Sequence, residues 1–434
     1  MKLCRHDLPF FLRPAASNIK SILLRRTDLM LAAKLKSAKS AASNNHFAIL
    51  LTSILFVSIG NKIYELVLPL LMYELTHSSV SMTSMRTAEL LPNFFFAIAI
   101  GVLVDRANKK RWAMWMLGSQ AVLLILFTFL YKSGSQQLMF YYMIGFLLMT
   151  FGYGFFNVQV SLVKQTAQPS KLTEANAQIS LVETLVTVMG PALTGLLLLF
   201  SDVSDGILIT ALLFILCLLS ISLLPAEAPR LHRPTTNMVH EFREGWRAFR
   251  SNRTLFHITI FVMFINCSFT VVQTCLVFHA KDVLQLSSSM LAVILSAAGI
   301  GGLAGSLMTS KLRARVGLGK IYGFSIILHA IGSGLLVFSE SMTLFVTALF
   351  LIGLATSFHG ISVYTMRHEQ TPSHLMGRIA GITGTIFRIG MPITMFLSGW
   401  IIEIWGTQAI FTGAVAWNAF FLLLYVRSAL WKER

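Results

Sequence analysis

Charge is scarce in this chain, and acidic charge scarcest: only 12% of its 434 residues are charged, 18 acidic against 35 basic. A soluble domain carries about 25% charged residues, so a fully water-solvated surface is excluded. Cysteine is equally sparse. Cys4, Cys217, Cys267 and Cys275 show no CxxC spacing, which argues against a disulfide framework or a zinc ribbon. No GxxxxGK(S/T) phosphate loop is present. No Ser/His/Asp set or metal-spaced His/Glu cluster points to catalysis, and the cytoplasmic "RHE" at Arg367–Glu369 reads as a solvated helix end. The expectation is therefore a protein that is no enzyme, with no cofactor and no metal. A signal-peptide core is missing from residues 1–45, which hold nine cations against Asp7 and Asp28.

What fills the chain instead is apolar sequence, 55% of all residues. Twelve apolar runs recur at about 47–73, 80–103, 112–131, 138–163, 174–200, 206–224, 255–278, 287–309, 320–338, 342–365, 379–402 and 408–426. Each is long enough to cross a hydrocarbon core of about 30 Å as a helix. Lipid leaves backbone groups no solvent partner, so such runs form helices or a closed barrel. The ten-residue alternation of a barrel is absent. The fold class expected is an all-α membrane protein.

Lys and Arg placement predicts its orientation. With twelve spans both termini lie on one side, and that side collects 30 of the 35 cations, while Lys132 and Lys281 fall opposite. Both termini are expected in the cytoplasm, with the chain in the cytoplasmic (inner) membrane. The formal charge of +17 then reflects topology and the lipid bilayer as partner, not nucleic acid. Five segments follow: a basic cytoplasmic tail (1–45), six spans (46–224), a cytoplasmic linker (225–253) whose "EFREGWRAFRSNR" reads as an amphipathic helix, six further spans (254–427) and a short tail (428–434).

The two sets of six repeat at an offset of about 204 residues. "GVLVDRANKKR" at Gly101 returns as "GSLMTSKLRAR" at Gly305, with Asp105 replaced by Thr309. "QPSKLTEAN" at Gln168 returns as "TPSHLMGRI" at Thr371. Parallel repeats of this kind imply a cavity between two pseudo-symmetric halves that rock around it.

The first of those segments resembles the loop signature of the major facilitator superfamily, Gly-x-Leu-x-Asp-Arg-x-Gly-Arg/Lys-Lys/Arg, with Gly101, Leu103, Asp105, Arg106, Lys109 and Lys110 matching. Asn108 stands where the family has its second Gly, and Asn tolerates a left-handed backbone. Within the superfamily, "SIGNKIYELVLPLLMYELTHSS", "ELLPNFFFAIAIGVLVDR", "EANAQ", "GPALTGLL" and "REGWRAFRSN" are similar to the branch of enterobactin-type siderophore exporters and macrolide efflux pumps. The fourth span, "IGFLLMTFGYGFFN", lacks the Arg of many drug/proton antiporters. The resemblance implies secondary active export of small amphipathic molecules, drug- or siderophore-like, by alternating access and in antiport with protons. It also implies a monomer driven by the proton gradient. An importer of a small metabolite on the same fold, or a transport-inactive sensor, are the alternatives. In the family the acid matching Asp105 faces the start of the eleventh helix, here near Gly377–Ile379, and closes the cytoplasmic gate. Lys109, Lys110 and Arg111 anchor the same loop.

Ionisable residues inside spans are functional candidates. Asn61, Lys62 and Glu65 lie in the first span, Arg86 and Glu89 in the second, with Lys62–Glu65 and Arg86–Glu89 spaced as i,i+3 pairs. Glu183 lies ~16 Å into the fifth span, and Arg388 holds a comparable depth in the eleventh. Proton-coupling carboxylates of a cavity, or neutralised pairs that hold helices in register, both fit these positions. Softer cavity candidates are Asn157, Asn266, Gln273, His359 and Tyr364. Pro191 and Pro392 are expected to bend the fifth and eleventh spans.

Overall fold

The computed structural model describes residues 13–167, 171–225, 238–372 and 375–433; side chains are described from residue 45 onward, except at 97–99, 101, 102, 105, 106, 164, 173, 238–241 and 377. The helices are α1 (Arg13–Thr76), α2 (Ser79–Arg106), α3 (Lys109–Lys132), α4 (Leu138–Thr166), α5 (Leu172–Phe200), α6 (Val203–Ser222) and α7 (Met238–Ser251). They continue as α8 (Arg253–Asp282), α9 (Ser288–Val316), α10 (Leu318–Val337), α11 (Met342–Glu369), α12 (Met376–Ile386) and α13 (Met391–Arg427).

Twelve crossings result. Eleven helices or helix pieces are simple, while the eleventh crossing is α12 followed by the first part of α13. Gly406, at φ 76°, turns the chain into the twelfth without a loop. A side chain rarely adopts that φ, so the turn depends on glycine. In the first bundle α1 packs on α5 and α6, α3 on α4 and α6, and α2 on α4. In the second, α11 packs on α9 and α10, and α13 on α8 and α10. The first hairpin of each half turns through a non-glycine residue in the left-handed region, His77 at φ 48° and Gln285 at φ 52°. The repeat seen in the sequence thus reaches down to a single backbone conformation.

The halves meet along α5 against α9 and α2 against α13. Both seams rely on glycine for close approach. A Cβ on Gly299 would lie 2.8 Å from the Val188 carbonyl oxygen, and one on Gly399 would lie 3.0 Å from Val80 Cα. Between helices in lipid such small residues are what allows backbones to touch.

Two details depart from the sequence-based expectations. The eleventh span is not one helix: its ladder breaks at Phe387–Gly390, just ahead of Pro392, so the proline starts a helix instead of bending one. Asn108 sits at φ −66° and not in the left-handed region; its side chain accepts from the Arg111 amide, 3.0 Å away, and caps α3.

Candidate functional site

The ion pairs expected within the first two spans form, and they join into one network. Lys62 Nζ lies 2.8 Å from Glu65 Oε2, and Arg86 Nη1 lies 2.9 Å from Glu89 Oε2. Arg86 also donates through Nη2 to the Glu65 carbonyl oxygen at 2.6 Å, tying α2 to α1. Tyr64 donates to Glu89 Oε1 at 2.6 Å. Glu89, 3% exposed, therefore has both oxygens engaged, as a buried carboxylate requires. The stem of Lys62 lies against Gly190 of α5, where a Cβ would clash with it. The sequence placed both pairs but missed Tyr64, because the phenol reaches Glu89 across 25 residues and no local spacing signals that.

Glu65 is the member that leaves its own bundle. Its Oε1 accepts from Gln273 Nε2 of α8 at 3.1 Å, so one carboxylate serves Lys62 in one half and Gln273 in the other. Further hydrogen bonds between the halves lie toward the end that carries the α1–α2 and α8–α9 turns. Tyr73 donates to Asp282 at 3.3 Å, and Ser288 donates to Glu74 at 3.1 Å. The Ser79 hydroxyl lies 2.9 Å from the Gly399 carbonyl and 3.0 Å from a Glu403 oxygen. Thr87 reaches the Pro392 carbonyl at 3.5 Å.

The remaining candidates scatter. Glu183 and Arg388 are both exposed, and neither closes an ion pair with a described residue, so the cross-cavity pair they could make is not formed here. Asn61 is exposed. Asn157 donates to Tyr153 O of its own helix at 2.8 Å. Tyr364, 52% exposed, has the Arg367 guanidinium 4.8 Å from its ring centroid. Asn266 and His359 bond each other at 3.0 Å, and Asn266 donates to the Phe387 carbonyl freed by the break in the eleventh crossing.

The α2–α3 loop is held more tightly than an anchor alone would need. Lys109 is buried and donates to the Val104 carbonyl at the end of α2. Lys110 donates to the carbonyls of Ser222, at 2.6 Å, and Leu224, at 2.5 Å, capping α6. Two cations thus satisfy carbonyls that helix C-termini leave open. Arg111 is exposed. The side chains of Gly101, Asp105 and Arg106 lie outside the described residues, as does the contact expected of Asp105. Its counterpart Thr309 is buried and donates to Gly305 O at 2.7 Å within α9.

Twelve crossings in two repeated bundles, with a charged network at their junction, define a polytopic transporter. The sequence profile of the Major Facilitator Superfamily matches residues 50–394 and 275–433, and the chain belongs to that superfamily. Macrolide efflux protein A of Streptococcus pyogenes is 24% identical over 385 residues, covering 84% of this chain and 89% of that protein. Among solved structures, nucleoside transporter NupG aligns with a TM-score of 0.72 at 14% identity, over 90% of this chain and 100% of NupG. A bacterial homologue of the iron transporter ferroportin aligns at 0.70 in its inward-facing state (12% identity, 90% of this chain, 99% of that one). In its outward-facing state it aligns at 0.59 (13%, 90% and 100%).

Proposed function

We propose that this transporter exports small amphipathic molecules, drug- or siderophore-like, across the cytoplasmic membrane in exchange for protons, by alternating access. The observation that carries the reading is the position of Glu65: a single carboxylate neutralised by Lys62 and also bonded across the halves to Gln273. Charged Glu65 favours both contacts, since hydrogen bonds to an ionised acceptor are about twice as strong as neutral ones. A substrate that displaces Gln273 removes one tie between the halves. Opening there exposes Glu65 to the other bulk phase, where it takes a proton, and the neutral acid loses its hold on Lys62. Re-closure returns the proton to the first side. A state change driven in this way needs only that substrate and proton bind the two states differently.

The cation asymmetry supports a reading in which the joined end, with its α1–α2 and α8–α9 turns, faces outside. Better superposition on the inward-facing than on the outward-facing neighbour supports the same assignment, a state open to the cytoplasm. Exposed Glu183 and Arg388 would then line the open side, one at each wall. The superfamily relative named as a macrolide efflux protein supports export, and the relative named as a nucleoside transporter keeps uptake as the second reading. Everted membrane vesicles decide between them. With erythromycin as probe, export by proton exchange predicts accumulation in vesicles acidified inside, abolished by a protonophore. No accumulation there, with protonophore-sensitive uptake into whole cells, would instead establish import.

A further inference from the structure

The first turn of α3 carries Lys109, Lys110 and Arg111 in succession and no acid. Two of these cations are engaged inside the protein: Lys109 reaches the Val104 carbonyl, and Lys110 reaches those of Ser222 and Leu224. Arg111 is different. It is exposed, and its guanidinium has no partner among the described residues. It also stands at the positive end of its helix, which favours an anion beside it.

Arg111 forms one end of a groove of about 610 Å³, within the range of ~300–1,000 Å³ usual for small-molecule sites. The floor is a single stripe of α3, in which Arg111, Trp115, Ser119 and Val122 follow one another at i,i+4 and i,i+3 spacing. α4 and α6 both pack on α3 and supply the walls through Phe151 and Leu218. Among the described residues that line the groove, Arg111 alone is charged. The stripe rises about 17 Å from Arg111 to Val122, against about 15 Å for one leaflet of a hydrocarbon core. Its face is turned outward: Trp115 is 73% exposed and Val122 64%. On a helix that spans a membrane such a face meets acyl chains. Trp115 lies one turn from Arg111, at the headgroup level where tryptophan collects in spans.

A groove one leaflet deep, apolar along its length and cationic at its rim, is shaped for a phospholipid. In the adjoining loop sequence Arg106, Lys109, Lys110 and Arg111 outnumber Asp105, so a headgroup of net negative charge is favoured over a zwitterionic one. We infer that the α3 groove binds one anionic phospholipid of the leaflet beside the α2–α3 loop. Its phosphate sits on Arg111, whose paired N–H donors match phosphate oxygens. One acyl chain lies along Trp115, Ser119 and Val122, between Phe151 and Leu218. The lipid braces the loop from the membrane side, whichever way substrate is carried and however Glu65 acts.

Native mass spectrometry of the full chain, delipidated in detergent and titrated with palmitoyl-oleoyl phosphatidylglycerol or phosphatidylcholine, reads binding of the first lipid directly. Phosphatidylglycerol is expected to bind the tighter, and Arg111→Ala to weaken it about fivefold, the effect of one basic residue at an anionic surface. Ser119→Trp keeps Arg111 but fills the groove. It is expected to weaken phosphatidylglycerol binding severalfold with the melting temperature kept. Equal affinity for the two lipids, or an Arg111→Ala variant that binds phosphatidylglycerol like the wild type, would overturn the site. Unaltered binding by Ser119→Trp would take the acyl chain out of the groove and overturn it as well. A dimer that this variant splits would do the same, since the face then belongs to a second copy of the chain.

Discussion

Arg86 is bound twice, to the Glu89 carboxylate and to the Glu65 carbonyl, and among the described residues Glu89 forms an ion pair with Arg86 alone. Removing one partner of a buried pair strands the other, at about 3–5 kcal/mol, while replacing both with apolar groups is often neutral. Arg86→Ala is therefore expected to lower the melting temperature in detergent sharply, and the double variant Arg86→Leu, Glu89→Leu to recover most of it. Equal losses in the two would mean that the pair is not a unit. At this scale the sequence was partly legible. Two i,i+3 pairs on helices can hardly avoid meeting, so Lys62–Glu65 and Arg86–Glu89 were readable from spacing. The bonds from Tyr64 to Glu89 and from Gln273 to Glu65 depend on how whole helices are rotated against one another, and no local pattern encodes that. The same limit hid the contacts of Asn418 on α13 with Ser268 on α8, at 2.9 Å, and with His329 on α10, at 3.2 Å.

Among the elements, α7 and the glycine seams carry distinct kinds of attachment. α7 is pinned to α12 by Glu244–Arg378 at 2.6 Å, with Phe249 fully buried beneath it. The ion pair is substantially exposed and such pairs contribute ~0.2–1 kcal/mol, whereas truncating a buried Phe costs about 3–5 kcal/mol. Glu244→Ala should leave thermal unfolding almost unchanged and Phe249→Ala should shift it markedly; the reverse order would place the attachment in the charges. At the seam of α5 and α9, the contact of Gly299 with the Val188 backbone leaves no room for a side chain. Gly299→Leu is expected to hold the turn-bearing ends apart, read as a longer distance between spin labels at Thr76 and Val283. An unchanged distance would show that this seam does not set closure. Hydropathy located these helices well, because lipid admits little else. It could not locate the break at Phe387–Gly390: the partner that catches its freed carbonyl, Asn266, comes from another helix.

Over the whole molecule, the repeat, the twelve crossings and the superfamily were all legible in one sequence, since each rests on chain-wide apolar periodicity and one motif. Which ends of the halves are joined was not legible, because one sequence serves both states of a rocking carrier and only their relative energy differs. The described state joins the halves through Glu65–Gln273, Tyr73–Asp282, Glu74–Ser288 and Ser79–Glu403. In the proposed cycle only the first of these ties changes charge with the transported proton. The most direct test is proton counterflow in proteoliposomes loaded with erythromycin, wild type against Glu65→Gln. Proton exchange through Glu65 predicts an inward proton current with efflux in the wild type and none in the variant, which still exchanges labelled for unlabelled erythromycin. A variant whose proton current matches the wild type would contradict it.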